Sequence, residues 1–316
     1  MENLDFFINF AENCTVAFYI FDYNLDFLYV NPAFCKIFEY TKEEIIGKIK
    51  ALDWVYEKDK KEVKKRIERR LKGESQIENY LVRFVSKSKK IKYCLASGQS
   101  TKINNKNCII GTLIDITDKI LYQEELQKSL QGVINTLSKI VEIKDPYTMG
   151  HQLRVSNLSV EIAKKLKLKE KEINDIKIAA LLHDIGKITI PPEILALPRK
   201  LNPIERKIVE CHPKIAYDIL IKIPNFENIA LIVLQHHERL DGSGYPSGLK
   251  DNEILLGARI IGVADVVEAM SNHRPYRPAL KIEDVIEELY TNGGIKYDKR
   301  VVDICINLLT ESKIKF

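Results

Sequence analysis

Hydrophobic periodicity changes once along this chain and does not change back. Up to about residue 118, short apolar and aromatic runs alternate with turn residues. From 144 onward, apolar residues recur at three- and four-residue steps through RVSNLSVEIAKKLKL, EINDIKIAALLHDIGK, IERKIVECHPKIAYDILIKI, IALIVLQHHERL and LLGARIIGVADVVEAMS. A period of two suits a pleated strand and a period near 3.6 suits a helix, and one small core cannot serve both throughout. The expectation is therefore two domains, an N-terminal α+β unit and a C-terminal all-α bundle. A length of 316 residues lets each bury its own core.

In the first unit, FYIFDYNLDFLYVN predicts two short strands around a turn at Asn24. NPAFCKIFEY opens a short helix with Asn31 as cap and Pro32 in its first turn, and TKEEIIGK has the capping-box order, Thr41 followed by Glu44. Later strands are IENYLVRFVS, IKYCLASGQST and CIIGTLIDIT. The charged run KDKKEVKKRIERRLKG carries Val63, Ile67 and Leu71 at four-residue steps, so it reads as one amphipathic helix with a solvated outer face. No aromatic residue interleaves with its basic residues, which argues against a nucleic-acid surface.

Leu126, Leu130, Val133, Leu137 and Ile140 alternate steps of four and three, the seam of a coiled coil. The seam is short and contains Gly132, so the helix needs a partner, which a second copy of the chain or the core of the next domain supplies. The two readings are compatible. The expected boundaries are 1–118, a helical linker at 119–129, and 130–316.

No apolar run reaches the roughly 18 residues that span a bilayer, and the N-terminus lacks a basic start followed by an apolar block. A cytoplasmic chain is expected. The six cysteines, with no CxxC pair, read as small buried residues in a reducing compartment. A net charge of +5 suits an anionic ligand but falls short of the basic stripe of a nucleic-acid binder.

All six histidines lie at or beyond residue 151. With the acids beside them they form a candidate ligand set: His151, His183, Asp184, His212, His236, His237 and Asp265. Carboxylates carried by apolar runs are costly to bury unless paired or bound to a cation. Absence of cysteine from the set disfavours a structural thiolate zinc site. Imidazole mixed with carboxylate suits iron, manganese, cobalt or zinc, and seven side chains exceed what one catalytic ion needs. An aspartate beside a histidine can bridge two ions about 3.5–4 Å apart, an arrangement suited to in-line attack on phosphate esters.

These residues resemble the HD-GYP family, bacterial HD-superfamily phosphodiesterases that hydrolyse the second messenger cyclic di-GMP. GHQLRV, HDIGK, ECHP, HHERLDGSGYP, VADVVEAM and HRPYRPA occur in the family's order across roughly 130 to 316. The resemblance implies a helical HD-superfamily bundle holding two divalent ions, iron or manganese first, on the seven residues above. It implies that Asp184 bridges the ions and positions the nucleophile and that Lys187 contacts a substrate phosphate. Arg274 and Arg277 match positions that hold the nucleotide, and guanidinium suits that task because it donates in a fork. Gly244, Tyr245 and Pro246 look like a loop bordering the site, with Tyr245 placed to stack on or bond a guanine; a plain helix-linking turn explains the last two equally well. Where some members carry a glutamate that helps hold a third ion, this chain has Tyr147, so two ions are expected. Glu268 stands where the family often has aspartate and is expected outside the ligand set, paired with Lys187. His273 is left out of the site.

Residues 1 to 118 resemble a PAS domain, through YIFDYNLDFLYVNPAFCKIFEYTKEEIIGK and the closing GTLIDITDKI. The resemblance implies a sensor that binds a small molecule or a partner and acts through its exit helix. With no histidine before 151, a haem held by imidazole is disfavoured. Cys14, Cys35, Cys94 and Cys108 remain conceivable thiolate ligands, with buried structural roles preferred; the sequence identifies no signal, and an empty PAS domain used for dimerisation is nearly as good a reading. The expected whole is a homodimeric, PAS-regulated, metal-dependent phosphodiesterase yielding pGpG, GMP or both, with no membrane or nucleic-acid polymer as partner. Its rivals are a messenger receptor or docking module without turnover, and a metallohydrolase of another nucleotide phosphoester.

Overall fold

The computed structural model describes residues 2–72, 79–103, 105–144, 149–273 and 278–311. The chain divides into two compact units, Met1–Lys128 and Ser129–Phe316.

In the first unit a helix, α1 (Glu2–Asn13), precedes strands β1 (Ala17–Asp22) and β2 (Phe27–Val30). Helices α2 (Pro32–Phe38), α3 (Lys42–Ile45) and α4 (Lys60–Leu71) follow, then β3 (Tyr80–Val85), β4 (Ile91–Ile103) and β5 (Lys106–Asp115). The sheet is antiparallel throughout, in the order β2-β1-β5-β4-β3. Alternation along β1 turns Ala17, Tyr19 and Phe21 to the core.

Asn31 caps α2 and does more than cap it. Its Oδ1 accepts from Phe34 N at 3.0 Å and Phe18 N at 2.9 Å, while its Nδ2 donates to the Ala11 and Val16 carbonyls, both at 2.9 Å. The buried amide is thereby satisfied, and it ties β1 to α2 and to the end of α1. Along α4, Val63 and Ile67 face the core as their spacing predicts. The outer face of α4 is solvated as expected, with Lys61, Lys64, Lys65 and Arg69 exposed, while Arg70, seven residues past Val63 on the inner face, is buried and stacks 4.9 Å from the Tyr80 ring. Its long apolar stem fills the gap between helix and strand. Between α4 and the sheet lies an aromatic cavity of about 40 Å³, bordered by Tyr19, Phe34, Trp54 and Arg70 among others.

Helix α5 (Thr117–Lys144) runs unbroken through the linker region. Val141 enters the core of the second unit and Leu137 packs against it. Leu126, Leu130, Val133 and Ile140 are exposed.

The described residues of the second unit are helical: α6 (His151–Lys165), α7 (Glu170–Leu182), α8 (Pro192–Leu195), α9 (Pro203–Val209), α10 (His212–Leu220), α11 (Glu227–Gln235), α12 (Leu256–Ser271), α13 (Ile282–Asn292) and α14 (Lys299–Thr310). Helix α12 lies in the middle, with Ile260, Ile261, Ala264 and Val267 fully buried and α6, α7, α11, α13 and α14 packed around it. IERKIVECHPKIAYDILIKI, which reads as one helix, is two: α9 stops at Val209 and α10 restarts at His212, with Pro213 in its first turn. Proline lacks the N–H that an uninterrupted helix would use there. Of the cysteines, Cys211 in this break is exposed, against the expectation of burial, while Cys94, Cys108 and Cys305 are buried; all six are free. Among the described residues, no helix is long and apolar enough to cross a membrane.

Candidate metal centre

The histidines of the candidate set do not project from the faces of apolar helices. They stand at helix ends. α7 stops at Leu182 and His183 follows as its C-cap; α11 stops at Gln235 and His236 follows in the same way; His212 sits three residues past Val209, the last residue of α9. The last carbonyls of a helix have no intrahelical donor. Each ring uses one of them. His183 Nδ1 lies 2.7 Å from Ala180 O, His212 Nδ1 2.8 Å from Val209 O, and His236 Nδ1 2.6 Å from Val233 O. A carbonyl oxygen only accepts, so each Nδ1 carries the proton and each Nε2 presents a lone pair. The apolar runs that drive α7 and α11 into the core deliver these rings to the interior.

Two close backbone approaches complete the enclosure. A Cβ on Gly186, in the turn after His183 and Asp184, would lie 2.0 Å from His212 O, and one on Gly262 of α12 would lie 2.8 Å from His236 O. Only glycine lets those segments meet.

The free nitrogens converge in two pairs. His151 Nε2 is 3.2 Å from His183 Nε2, and His212 Nε2 is 3.4 Å from His236 Nε2. Asp184 stands between the pairs. Its Oδ2 lies 3.4 Å from His183 Nε2 and 3.7 Å from His151 Nε2, and its Oδ1 lies 3.4 Å from His212 Nε2. Asp265 likewise faces both sides, Oδ1 at 3.4 Å from His151 Nε2 and Oδ2 at 3.9 Å from His237 Nδ1. Donor atoms of His151, His183 and Asp265 fall within 4.8 Å of one another, as do those of His212, His236 and His237, and those of His183, Asp184 and His236. Lone pairs facing each other in a buried pocket repel unless a proton or a cation lies between them. The donor chemistry, imidazole and carboxylate without thiolate, fits divalent transition metals.

Electrostatics agree with a site built for cations rather than protons. Desolvation pushes His212 down to about 4 and holds His236 and His237 well below the ordinary imidazole range, so these rings are neutral near pH 7. Desolvation would raise the Asp184 carboxyl, but Lys187 and the surrounding histidines outweigh it and keep it well below the usual carboxylate value. Lys187 Nζ donates to Asp184 Oδ2 at 2.8 Å.

That contact corrects one expectation. Glu268 pairs not with Lys187 but with His151 Nδ1, Arg154 and Asn272. Its longer arm, on α12, reaches the first residue of α6. Tyr245 packs its ring on His237 and approaches His212, and burial raises its hydroxyl. Gly244 is required by a close approach: a Cβ there would lie 2.4 Å from Arg239 N and Glu238 Cα. Pro246 and His273 are exposed. Asp241 stays out of the metal-facing set, accepting from the N–H and hydroxyl of Ser243. Tyr147, Arg274 and Arg277 lie outside the described residues.

Two positions that brace the candidate site, a carboxylate and a guanidinium, escape the sequence reading. Buried Glu238 accepts from Ser247 N at 2.7 Å and Leu249 N at 3.0 Å, fixing the loop that carries Tyr245. Arg154, one turn past His151, grips Glu268. The available signal was an acid directly after two candidate ligands, and an arginine spaced to share a helix face with His151.

Sequence comparisons agree with this architecture. The HD-domain family model matches residues 135–301 and the PAS-fold model residues 6–116. A cyclic di-GMP phosphodiesterase response regulator of Xanthomonas campestris is 40% identical over 57% of this chain and 48% of its own length. A 3'3'-cGAMP-specific phosphodiesterase of Vibrio cholerae is 39% identical over 52% of this chain and 35% of its own. A cyclic di-GMP phosphodiesterase of Thermotoga maritima is 39% identical over 59% of this chain and 51% of its own. The chain thus spans at most about half the length of these relatives. Because the HD model alone covers more than half of the 316 residues, this protein belongs to the HD-domain family, with a PAS fold ahead of its helical unit.

Proposed function

We propose that the chain hydrolyses cyclic di-GMP to pGpG, GMP or both, with two divalent ions, iron or manganese, held by His151, His183, Asp184, His212, His236, His237 and Asp265. The observation that carries this reading is the orientation of Asp184, one carboxylate oxygen toward each imidazole pair. Ions bound there supply Lewis acidity toward a phosphate and make a nearby water acidic enough to act as nucleophile. The rest is the work of this chain. Asp184, held ionised, orients the water for in-line attack. Lys187, beside it and partly exposed, offers an ammonium to a phosphate oxygen. Arg274 and Arg277 clamp the nucleotide, and Gly244, Tyr245 and Pro246 border it.

The PAS unit regulates the activity, and two chains pair through it and the exposed seam of α5. The six free cysteines suit a cytoplasmic setting. A second substrate, 3'3'-cGAMP, is favoured by the 39% identity to an enzyme specific for it.

The test uses full-length protein purified without oxygen and loaded with Fe(II) or Mn(II), offered cyclic di-GMP, 3'3'-cGAMP and a simple nucleotide monoester, with products identified chromatographically. Cyclic di-GMP is expected to turn over fastest, and Asp184→Ala to lower the rate by at least about a thousandfold, as loss of a group that positions a nucleophile does. Equal rates in Asp184→Ala, or turnover of the monoester alone, would sink the proposal.

A further inference from the structure

Resting on the two-ion reading, we infer that Arg154 and Glu268 are a positioning pair that sets His151 for metal binding. The need for such a pair follows from where His151 stands. His183, His212 and His236 each fall just past the C-terminal end of a helix, where spare carbonyls accept from Nδ1. His151 opens α6 as His212 opens α10, but its Nδ1 meets no carbonyl of a preceding helix among the described residues. The spare groups at a helix N-terminus are N–H donors, which cannot accept a ring proton. An acceptor must come from elsewhere, and Glu268 of α12 provides it, through Oε2 to His151 Nδ1. The bond fixes the proton on Nδ1 and turns Nε2 toward His183 and Asp265.

A carboxylate that is 1% exposed has many ways to turn unless both oxygens are held. Arg154 grips Oε1 with Nε at 2.9 Å and Nη2 at 2.6 Å, and Asn272 Nδ2 adds a bond at 3.0 Å. Arg154 Nη2 also donates to Met149 O at 3.1 Å, folding back over the entrance to α6. Gly150 makes room for this: a Cβ there would lie 2.7 Å from Arg154 Nη1. Gly150 and Arg154, which flank His151, and Glu268 of α12 thus serve one ring.

The experiment counts ions. Full-length protein is loaded anaerobically with Mn(II), desalted, and measured for manganese per chain and by electron paramagnetic resonance. Wild type should hold two ions with an exchange-coupled spectrum. Glu268→Gln and Arg154→Gln should weaken the site containing His151 by about 10- to 100-fold, leaving one ion with a mononuclear spectrum. Arg154→Lys, which keeps the charge without the fork, should fall between wild type and the two Gln variants. The retained ion on His212, His236 and His237 reports that the bundle is folded, a pattern that general destabilisation would not produce. Two tightly held ions in both Gln variants, or joint loss of both ions in all three variants, overturns the inference. Wild type that holds no manganese overturns the two-ion reading itself.

Discussion

The Tyr245 ring lies 4.6 Å from the His237 imidazole, centroid to centroid, with an interplanar angle of 31°. The GYP segment therefore meets the candidate centre through His237, one of its candidate ligands. If packing is the tyrosine's main contribution, Tyr245→Phe should stay within about twofold of wild type in metal affinity and in kcat/KM, while Tyr245→Ala should weaken metal binding by about tenfold. A large fall in kcat/KM for Tyr245→Phe, with metal binding intact, would assign the hydroxyl to the nucleotide instead.

Gly186 lies where a methyl group would press on the His212 carbonyl at 2.0 Å. Gly186→Ala should cost about 3 kcal/mol, the upper range for overpacking a close contact. Urea titration of the metal-free protein, followed by circular dichroism, reads it as an earlier transition of the helical unit. An unshifted midpoint would mean that the turn after Asp184 moves aside freely.

Acid should destabilise the metal-free protein. His212 is depressed to about 4 by burial, and His236 and His237 are likewise held well below the ordinary range, whereas an unfolded chain titrates histidine near the ordinary value of about 6.5. Between those limits the unfolded chain binds more protons, so stability is full above about pH 7 and falls as pH drops toward 4. For His212 alone the loss is on the order of 3 kcal/mol. Melting temperature measured from pH 8 to pH 4 should fall throughout, and a flat profile would contradict neutral burial of these rings.

Leu126, Leu130 and Val133 are 51%, 55% and 57% exposed on α5. Replacing Leu130 and Val133 together by lysine should turn a dimer into a monomer in sedimentation velocity without changing metal content. A double variant that sediments with wild type would remove this seam from the interface.

Much of this was legible in side-chain identity. Strand alternation marks β1 and β5, Asn31 marks the start of α2, and the seven candidate ligands converge because their apolar neighbours are drawn into one core. What escaped was direction. In the run IERKIVECHPKIAYDILIKI the signal was Pro213, whose missing N–H marks a helix boundary beside His212; read as one continuous helix, the run makes His212 a face residue rather than an end residue. Glu268 was misassigned for a related reason. Spacing along α12 places it one turn from Asp265, but only tertiary packing decides whether its carboxylate meets Lys187 or the His151–Arg154 pair. In the first unit Arg70 shares the inner face of α4 with Val63 and Ile67, and only packing reveals that its guanidinium meets the Tyr80 ring of β3.

The carbonyl bonds made by His183, His212 and His236 tie two events together. Were the closing turn of α7, α9 or α11 to unravel, its imidazole would lose the anchor that decides which nitrogen looks inward, and a ring flip would swing a hydrogen toward the cavity. An ion held by the inward nitrogens would oppose that flip, and through it the unravelling. Cargo and scaffold are then two readings of one equilibrium, and stripping the cation should loosen backbone amides a full turn away from any atom that touched it.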